Sequence, residues 1–178
     1  MPENKRLFFA VNIPERIRRE IFSRLSSKLP KEGLKIVPEQ NIHFTLLFLG
    51  DFPEEALQEL KEKAETAQLQ KFELEVEEIG FFGTRVLWLG AGKGAEELTS
   101  LNNQLAQAFE IKDSGFQAHA TIARNKKLHS EDFTKIAQEL GKEKFFAEFA
   151  VDSFELMESI LSPTGAEYST VFSFKLND

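Results

Sequence analysis

The sequence predicts an α+β fold rather than a doubly wound parallel sheet. Strand and helix patterns are mixed along the chain, and at least two pairs of neighbouring strands have the spacing of antiparallel hairpins. A short strand motif also occurs twice, and each copy is followed by a helix and then by further strands. This order indicates an internal pseudo-duplication. The 178 residues suit a single domain spanning 1–178, built as one unit or as two lobes.

The first half of the chain is expected to alternate strands with two helices. Ile17, Ile21 and Leu25 lie on one face of a helix whose first turn accommodates Pro14. Acidic residues after Pro53 favour a second helix start. The predicted order is a strand over 6–12, a helix over 14–29, strands over 34–37 and 42–50, a helix from 53 to 67, and a strand over 72–77.

The second half is expected to open with the return strand of a hairpin and to close with two long strands. Phe133, Ile136 and Leu140 mark the apolar face of its last helix. The predicted order is a strand over 85–89, a helix over 96–110, a turn over 112–115, a strand over 117–124, a helix over 130–140, and strands over 145–156 and 168–176 joined by a turn at 162–165.

The strand over 42–50 is almost entirely apolar, yet it contains a histidine and a threonine two residues apart. Side chains alternate between the faces of a strand, so His43 and Thr45 share one face. Phe44, Leu46 and Phe48 are expected to face the core. A strand this apolar is expected to be covered on both faces, so the polar pair needs partners or a ligand.

The same pattern recurs 76 residues later as His119, Thr121 and Ile122. A single copy is more simply explained by a satisfied strand histidine beside a threonine of high β-propensity. Two copies on predicted strands, in a chain with only three histidines, favour a functional site. His129, the third histidine, lies in a polar loop and is expected to be solvated.

Two histidines on one cleft can perform acid–base chemistry without a metal. The ordinary imidazole pKa of about 6.5 makes both the neutral and the charged form accessible near neutral pH. The hydroxyls of Thr45 and Thr121 add two donors, and together these groups can surround a tetrahedral phosphate. Metal catalysis is not expected, because the histidine spacing is unsuitable and the chain has no cysteine.

Arg124 is the third expected element of the site. A guanidinium binds phosphate through two parallel hydrogen bonds and stays charged. Arg124 lies five residues after His119, however, which puts the two on opposite faces of a regular strand. A bulge or the end of the strand must re-aim Arg124 to bring it to the site. The alternative is a surface arginine.

The charge distribution argues against nonspecific binding to long duplex nucleic acid, because the net charge is −7. Residues 116–127 nevertheless contain Arg124, Lys126 and Lys127 without an acid, which leaves room for a local anion site. For most individual charges a solvated surface remains the expected role. The absence of cysteine fits a reducing cytosol, and the short apolar run near the N-terminus is too brief for a signal or membrane segment.

Residues 90–95 carry a Gly-x-Gly-x-x-Ala pattern between a strand and a helix, similar to a dinucleotide-binding loop. The surrounding strands are hairpin-like rather than parallel, and Lys93 is followed by glycine, unlike the Walker pattern. We expect a simple strand-to-helix loop.

The paired His-x-Thr-apolar motifs resemble those of the two-histidine phosphoesterase superfamily. Within that superfamily the sequence is similar to the RNA 2′,3′-cyclic phosphodiesterases, also called 2′-5′ RNA ligases. The similarity covers nearly the whole chain and includes residues 6–11, 37–50, 85–90 and 119–124. The chain departs from the family at Ala118, where proline is usual, and at Ala120, where a larger apolar residue is usual. These departures affect packing around the second motif.

The resemblance implies a bilobal fold in which two antiparallel sheets face a central cleft about a pseudo-twofold axis, with helices on the outside. It implies hydrolysis of RNA 2′,3′-cyclic phosphate ends to 2′-phosphates, and 2′-5′ ligation when a 5′-hydroxyl RNA replaces water. His43 would be the proton donor and His119 the proton acceptor, while Thr45, Thr121 and Arg124 would hold the phosphate. No cofactor or metal is expected. The implied setting is a cytoplasmic monomer that acts on RNA ends, tRNA-like fragments among them, without a membrane.

Two alternatives remain open at this point. One is a noncatalytic module that binds RNA ends or nucleotides in the same cleft. The other is the same chemistry on a different small cyclic phosphate, such as ADP-ribose cyclic phosphate or a cyclic dinucleotide. Turnover separates the first alternative from catalysis, and substrate competition separates the second.

Overall fold

The computed structural model describes residues 4–112, 115–163 and 165–178, which form four α-helices and nine β-strands. The helices are α1 (Glu15–Arg24), α2 (Leu57–Ala64), α3 (Ala95–Ala108) and α4 (Ser130–Leu140). The strands are β1 (Asn4–Asn12), β2 (Leu34–Ile36), β3 (His43–Pro53), β4 (Phe72–Phe82), β5 (Val86–Ala91), β6 (His119–Asn125), β7 (Ala147–Val151), β8 (Ser153–Ser162) and β9 (Gly165–Lys175).

The strands form one hydrogen-bonded sheet in the order β7-β4-β5-β6-β3-β1-β8-β9, and β2 pairs with β6 beside this row. Every pairing between these named strands is antiparallel. The predicted α+β class and the predicted hairpin of β4 and β5 are therefore confirmed.

The two halves of the sheet meet through very little backbone pairing. β3 and β6 share one residue pair, Phe44 opposite Ala120, whereas β1 pairs with β3 over nine positions of its length. Both residues of the central pair are fully buried. The narrow junction divides the sheet into a β7-β4-β5-β6 half and a β3-β1-β8-β9 half. The predicted division into two facing sheets with a pseudo-twofold axis and outer helices stays a prediction.

Phenylalanine supplies the largest fully buried side chains, as its abundance in the sequence suggests. The set comprises Phe9, Phe44, Phe133 and Phe154. Phe9 lies in β1 and packs near Phe154 of β8 and Phe109 at the end of α3, with ring centroids 6.0 and 5.4 Å away. The central strands are thereby anchored to a helix on one side.

Both motif strands carry a bulge immediately after the motif threonine. In β3, Thr45 pairs with Ala10 and Leu47 with Phe9, so Leu46 is an extra residue. In β6, Thr121 pairs with Trp88 and Ala123 with Leu87, so Ile122 is the extra residue. The bulged residue and its successor are buried in both strands. The side chains immediately beyond each bulge therefore change face, and in β3 a second register shift follows between Phe48 and Gly50.

The first bulge overturns the expectation that Phe48 lies in the core. Strict alternation from Phe44 places Phe48 inward, but the extra residue at Leu46 turns it outward. Its side chain is 69 % exposed. The prediction for Phe48 was wrong because it assumed strict alternation of side chains. An unbroken run of apolar residues contains no pattern that marks a bulge.

Several element boundaries also differ from the predictions. β3 continues through Pro53, so the helix predicted from 53 to 67 is limited to α2, and β4 extends beyond the predicted 72–77 to Phe82. The stretch over 145–156 contains two strands rather than one, because the chain leaves the β7 edge at Asp152 and continues as β8 in the other half. The first helix ends at Arg24, and a 3₁₀ turn, Ser26–Lys28, occupies the rest of the predicted helix. Asp113 and Ser114 of the predicted 112–115 turn, and Thr164 of the 162–165 turn, lie outside the described residues.

None of the helices in the described part of the chain has the length and apolar composition needed to cross a bilayer. The longest, α3, has 14 residues.

We expect Phe44→Ala to lower the free energy of unfolding by about 3–5 kcal/mol, because it empties a fully buried ring site at the junction of the two halves. Urea unfolding followed by circular dichroism measures the change. Phe146→Ala is the control, since that side chain is 55 % exposed, and it should change the free energy by about 0.5 kcal/mol. Equal effects of the two substitutions would contradict the central role of Phe44.

Candidate active site

His43 is held rigidly at the first position of β3. Its Nδ1 lies 2.7 Å from the carbonyl oxygen of Asn41, and its Nε2 lies 2.8 Å from the hydroxyl of Thr45. A carbonyl oxygen only accepts, so Nδ1 carries the proton and donates it to Asn41. In the neutral ring Nε2 then accepts from Thr45. The nitrogen next to the motif threonine is therefore the one free to exchange a proton.

The backbone that holds His43 is itself fixed from two sides. The 3₁₀ turn Glu39–Asn41 precedes β3, and the buried Asn41 side chain donates to the carbonyl oxygen of Ala166 in β9 at 2.7 Å. Arg18 of α1 donates to the carbonyl oxygen of Gln40 at 2.8 Å. The Asn41 carbonyl is consequently presented to the imidazole by a turn tied to both a helix and a strand.

His119 repeats this arrangement at the first position of β6. Its Nδ1 lies 2.7 Å from the carbonyl oxygen of Gln117, two residues earlier, as in the first motif. Nδ1 again carries the donated proton, and Nε2 is the exchangeable nitrogen. The two histidines thus have the same tautomer, imposed by the same local contact.

The single central pair aligns the two motifs. Because β3 and β6 are antiparallel with Phe44 opposite Ala120, His43 lies across from Thr121 and His119 lies across from Thr45. Phe44 and Ala120 face the core, so the four polar side chains share the opposite face of the sheet. Both motifs therefore present their histidine and threonine on the same face of the junction.

Arg124 reaches the same face through the bulge at Ile122. Without the extra residue, Arg124 would lie on the other face of β6 from His119. The bulge brings Arg124 to the same face as His119. Of the two expected ways to re-aim Arg124, a bulge or the end of the strand, the structure shows the bulge. Arg124 lines one small cavity together with His43, Thr45 and Thr121.

His119 is absent from the described lining of that cavity, although the register puts it across from Thr45. The two imidazoles are nevertheless close enough for the charge on His119 to lower the pKa of His43. The positive charge of Arg124 lowers the pKa of both histidines. Arg124 is thus the common electrostatic partner of the pair.

Burial is the main reason that both imidazoles favour the neutral form. It lowers the pKa of His43 to about 4, helped by the charges of His119, Arg124 and Arg18 and opposed by the hydrogen bond to Asn41. Burial also lowers the pKa of His119, with Arg124 adding to the effect and the hydrogen bond to Gln117 opposing it. Without a ligand, both rings are therefore neutral at pH 7. A bound phosphate anion would raise both pKa values.

Aromatic rings enclose each histidine, and sequence reasoning missed them. Phe8 stacks on His43 with centroids 5.2 Å apart, and Tyr168 meets the same ring edge-on at 5.4 Å. Phe82 meets His119 edge-on at 4.9 Å, and Trp88 lies 6.4 Å away. The chain's only tryptophan and its only tyrosine both contact the histidines. Their rarity was the signal in the sequence that could have indicated a role at the site.

Gly80 makes room for the Trp88 ring. A Cβ atom at this position would lie 2.3 Å from the ring, so no larger residue fits without displacing it. Gly80 of β4 pairs with Trp88 of β5, and the ring crosses the strand at this point. The aromatic wall beside His119 thus depends on a glycine.

The loop over 90–95 is not an anion site. A carboxylate oxygen of Glu75 accepts from the backbone nitrogen of Lys93 at 3.1 Å, and a Cβ atom on Gly92 would lie 2.4 Å from a carboxylate oxygen of Glu77. Negative charge already occupies this loop, which confirms that it is a simple strand-to-helix connection. His129 is exposed at the start of α4, as expected. In residues 4–112, 115–163 and 165–178 no three His, Asp or Glu side chains are grouped to hold a metal ion.

Comparison with known proteins gives consistent matches along most of the chain. Residues 13–161 match the model of the 2′-5′ RNA ligase superfamily. An RNA 2′,3′-cyclic phosphodiesterase of Archaeoglobus fulgidus is 34% identical, with 96% of this chain and 99% of that protein covered. One of Methanocaldococcus jannaschii is 30% identical, with 93% and 98% covered. The crystal structure of Escherichia coli LigT with 3′-AMP superposes with a TM-score of 0.82 at 25% identity, covering 99% of this chain and all of LigT (100%).

We expect Arg124→Gln to raise the pKa of both His43 and His119 in the ligand-free protein, because its charge opposes protonation of both rings. A pH titration of the imidazole Cε1–H resonances by NMR measures the two values, starting from about 4 for His43. Lys127→Gln removes an exposed charge nearby and should leave both unchanged. An unchanged pair of pKa values in Arg124→Gln would contradict the assigned electrostatic coupling.

Proposed function

We infer the function of this chain from its family: it belongs to the 2′-5′ RNA ligase superfamily and is an RNA 2′,3′-cyclic phosphodiesterase. It hydrolyses 2′,3′-cyclic phosphate ends of RNA to 2′-phosphomonoesters. The observation that carries this conclusion is the antiparallel alignment of two His-x-Thr motifs whose imidazoles have the same fixed tautomer. LigT, a structural relative, has been crystallised with 3′-AMP and with phosphate.

The reaction requires one histidine in each protonation state. We assign His119 as the base on the family resemblance: its Nε2 takes a proton from water as the water oxygen bonds to phosphorus. His43 is the acid, and its Nε2 donates a proton to the 3′ oxygen as the bond from phosphorus to that oxygen breaks. In-line displacement places the entering and leaving oxygens on opposite sides of phosphorus, which suits two groups on opposing strands.

Binding of the substrate drives His43 to take up from solvent the proton that it needs. The ligand-free ring is neutral at pH 7, because burial lowers its pKa to about 4. A cyclic phosphate carries a negative charge, and an adjacent anion stabilises the imidazolium. The Thr45 hydroxyl, which donates to Nε2 in the neutral ring, is then released to donate to a phosphate oxygen. Proton uptake and phosphate binding are therefore coupled.

Three side chains are proposed to hold the nonreacting phosphate oxygens. Thr45 and Thr121 supply hydroxyl donors from the two motif strands, and Arg124 supplies a guanidinium that matches the negative charge. These donors lie in place before the reaction, so they can stabilise the additional charge that develops on the phosphoryl group.

Several finer features belong to the same proposal. The two halves of the sheet are lobes of one domain spanning 1–178, with helices outside and one motif from each lobe. A 5′-hydroxyl RNA can replace water, in which case the same bond changes produce a 2′-5′ linkage. We propose a cytoplasmic monomer that needs neither cofactor nor metal, with tRNA-like fragments among its substrates.

We expect His43→Gln and His119→Gln each to lower kcat by about 10²–10⁴-fold, because each removes one proton-transfer group. The assay follows a short RNA ending in a 2′,3′-cyclic phosphate by phosphorus NMR, with EDTA present. His129→Gln is the matched control and should retain full activity, since that ring is exposed.

The same assay distinguishes the alternatives. A 2′-monophosphate product in EDTA supports the proposed regiochemistry and metal independence. Binding without turnover by the wild-type protein would indicate a noncatalytic module, and turnover of another cyclic phosphate in preference to RNA would redirect the substrate assignment. Activity within about tenfold of wild type in either histidine variant would contradict the two-histidine mechanism.

We expect kcat/KM to follow a bell-shaped pH profile with its maximum below pH 6.5. Activity is lost at high pH as the acid deprotonates and at low pH as the base protonates, and both pKa values are lowered in the free protein. The kcat profile reports the bound state, where the phosphate raises the pKa of the acid, so its maximum lies at higher pH. Steady-state rates from pH 4 to 9 measure both profiles. Coincident maxima above pH 7 would contradict this coupling.

A further inference from the structure

The catalytic cleft opens onto a larger basic groove of about 540 Å³. Val37, Asn41, Arg124 and Tyr168 line both spaces, so the two are continuous. Two further sets of residues line the rest of the groove. One set belongs to β2 and to the turn before β3. The other set consists of residues at the start of β9 together with Lys126, which follows the end of β6.

The groove concentrates positive charge on an acidic protein. Lys35, Arg124 and Lys126 are exposed and line it, whereas Glu167 is its one acidic residue among those described. None of the ion pairs found in the described parts of the chain includes any of these three cations. The groove lining therefore presents a net positive charge to solvent.

Lys35 and Arg124 occupy directly opposed positions on β2 and β6. Opposed residues on antiparallel strands have Cβ atoms about 5 Å apart, and like charges in such a pair are destabilising. An anion located between or beside the two side chains removes that cost. Lys126 follows Arg124 by two residues and extends the positive surface away from the cleft.

A second cavity beside the cleft, which shares Ala166 and Tyr168 with the basic groove, has different chemistry. This cavity of about 300 Å³ shares Phe8, Phe48 and Tyr168 with the cleft and continues to the exposed Leu161. Its lining is mainly apolar, with Arg6 as its one charged residue among those described. The cleft thus has one apolar and one basic exit.

The chemistry of an RNA end matches this division. In a terminal ribose the 2′ carbon adjoins C1′, which carries the base, while the 3′ carbon adjoins C4′, which carries the chain toward the 5′ side. The 3′ oxygen is the one assigned to His43, and Asn41, which holds His43, borders the basic groove. With this assignment, the phosphodiesters that precede the terminal nucleotide would leave the cleft on the side of the basic groove.

We propose that Lys35 and Lys126 form a binding subsite for the phosphodiester backbone immediately 5′ of the cyclic end, with Arg124 as the link to the catalytic phosphate. This inference rests on the proposed function. It assigns an oligonucleotide with at least one internal phosphodiester, rather than a cyclic mononucleotide, as the preferred substrate class. The subsite recognises backbone charge without reading the base sequence.

The test compares two substrates with the same reacting end. Wild type, Lys35→Gln, Lys126→Gln and the double variant are assayed on adenosine 2′,3′-cyclic monophosphate and on a tetranucleotide ending in that group. Lys127→Gln is the control, because it removes an exposed charge one residue from Lys126 that does not line the groove. The double variant should lower kcat/KM on the tetranucleotide about tenfold through KM. Its activity on the mononucleotide should stay within about twofold.

Salt dependence provides the second readout. Each lost phosphate contact should reduce the slope of log(kcat/KM) against log[salt] on the tetranucleotide by about 0.7. The mononucleotide slope should not change. An equal loss on both substrates, no loss on either, or the same loss in Lys127→Gln overturns the subsite.

Failure of the catalytic assignment is distinguishable from failure of the subsite. If wild type turns over neither substrate, the proposed function fails, and fluorescence anisotropy with a 5′-labelled tetranucleotide carrying a 2′-phosphate tests the groove directly. Weaker and less salt-dependent binding by the double variant than by Lys127→Gln supports the subsite. Equal binding by the two overturns it.

Discussion

The site depends on one contact between strands, the pair of Phe44 and Ala120. It is the one residue pair that joins β3 to β6 in the described chain, and its antiparallel sense sets each motif histidine across from the other motif's threonine. Ala120 is fully buried at this junction. A shift of register by one residue would send one His-x-Thr pair to the core face. The strong burial on that face makes such a shift costly, so the hydrophobic core maintains the alignment of the polar groups.

Local backbone contacts then determine the chemistry of each imidazole. In both motifs the carbonyl two residues earlier accepts from Nδ1, leaving Nε2 toward the site. Aromatic rings exclude water from the two histidines and thereby lower their pKa values. The same enclosure that keeps the free rings neutral strengthens their response to a charged ligand, because electrostatic interactions are larger where water is excluded.

Much of this arrangement could be predicted from the sequence, since the repeated motif and the period-two pattern specify the motif strands and the shared face of each His-x-Thr pair. The spacing alone also indicated that a bulge or the strand end must re-aim Arg124. Three other features could not be predicted from the sequence. They are the exposed location of Phe48, the aromatic rings around the histidines, and the division of residues 145–156 between the two halves of the sheet. Those features depend on pairing between strands distant in sequence, which a local pattern does not encode. Abundant phenylalanine further concealed which rings belong to the core.

The two bulges place the residue five positions after each motif histidine on the polar face, and these residues differ: Phe48 follows His43 and Arg124 follows His119. The histidines and threonines alone form a two-fold symmetric arrangement. Such an arrangement would bind a phosphodiester equally well in either of two orientations. A hydrophobic ring at one end and a permanent cation at the other break that equivalence. In the proposed mechanism, residues that take no part in proton transfer would thus determine the direction in which the ester binds, and with it which imidazole is the acid and which the base.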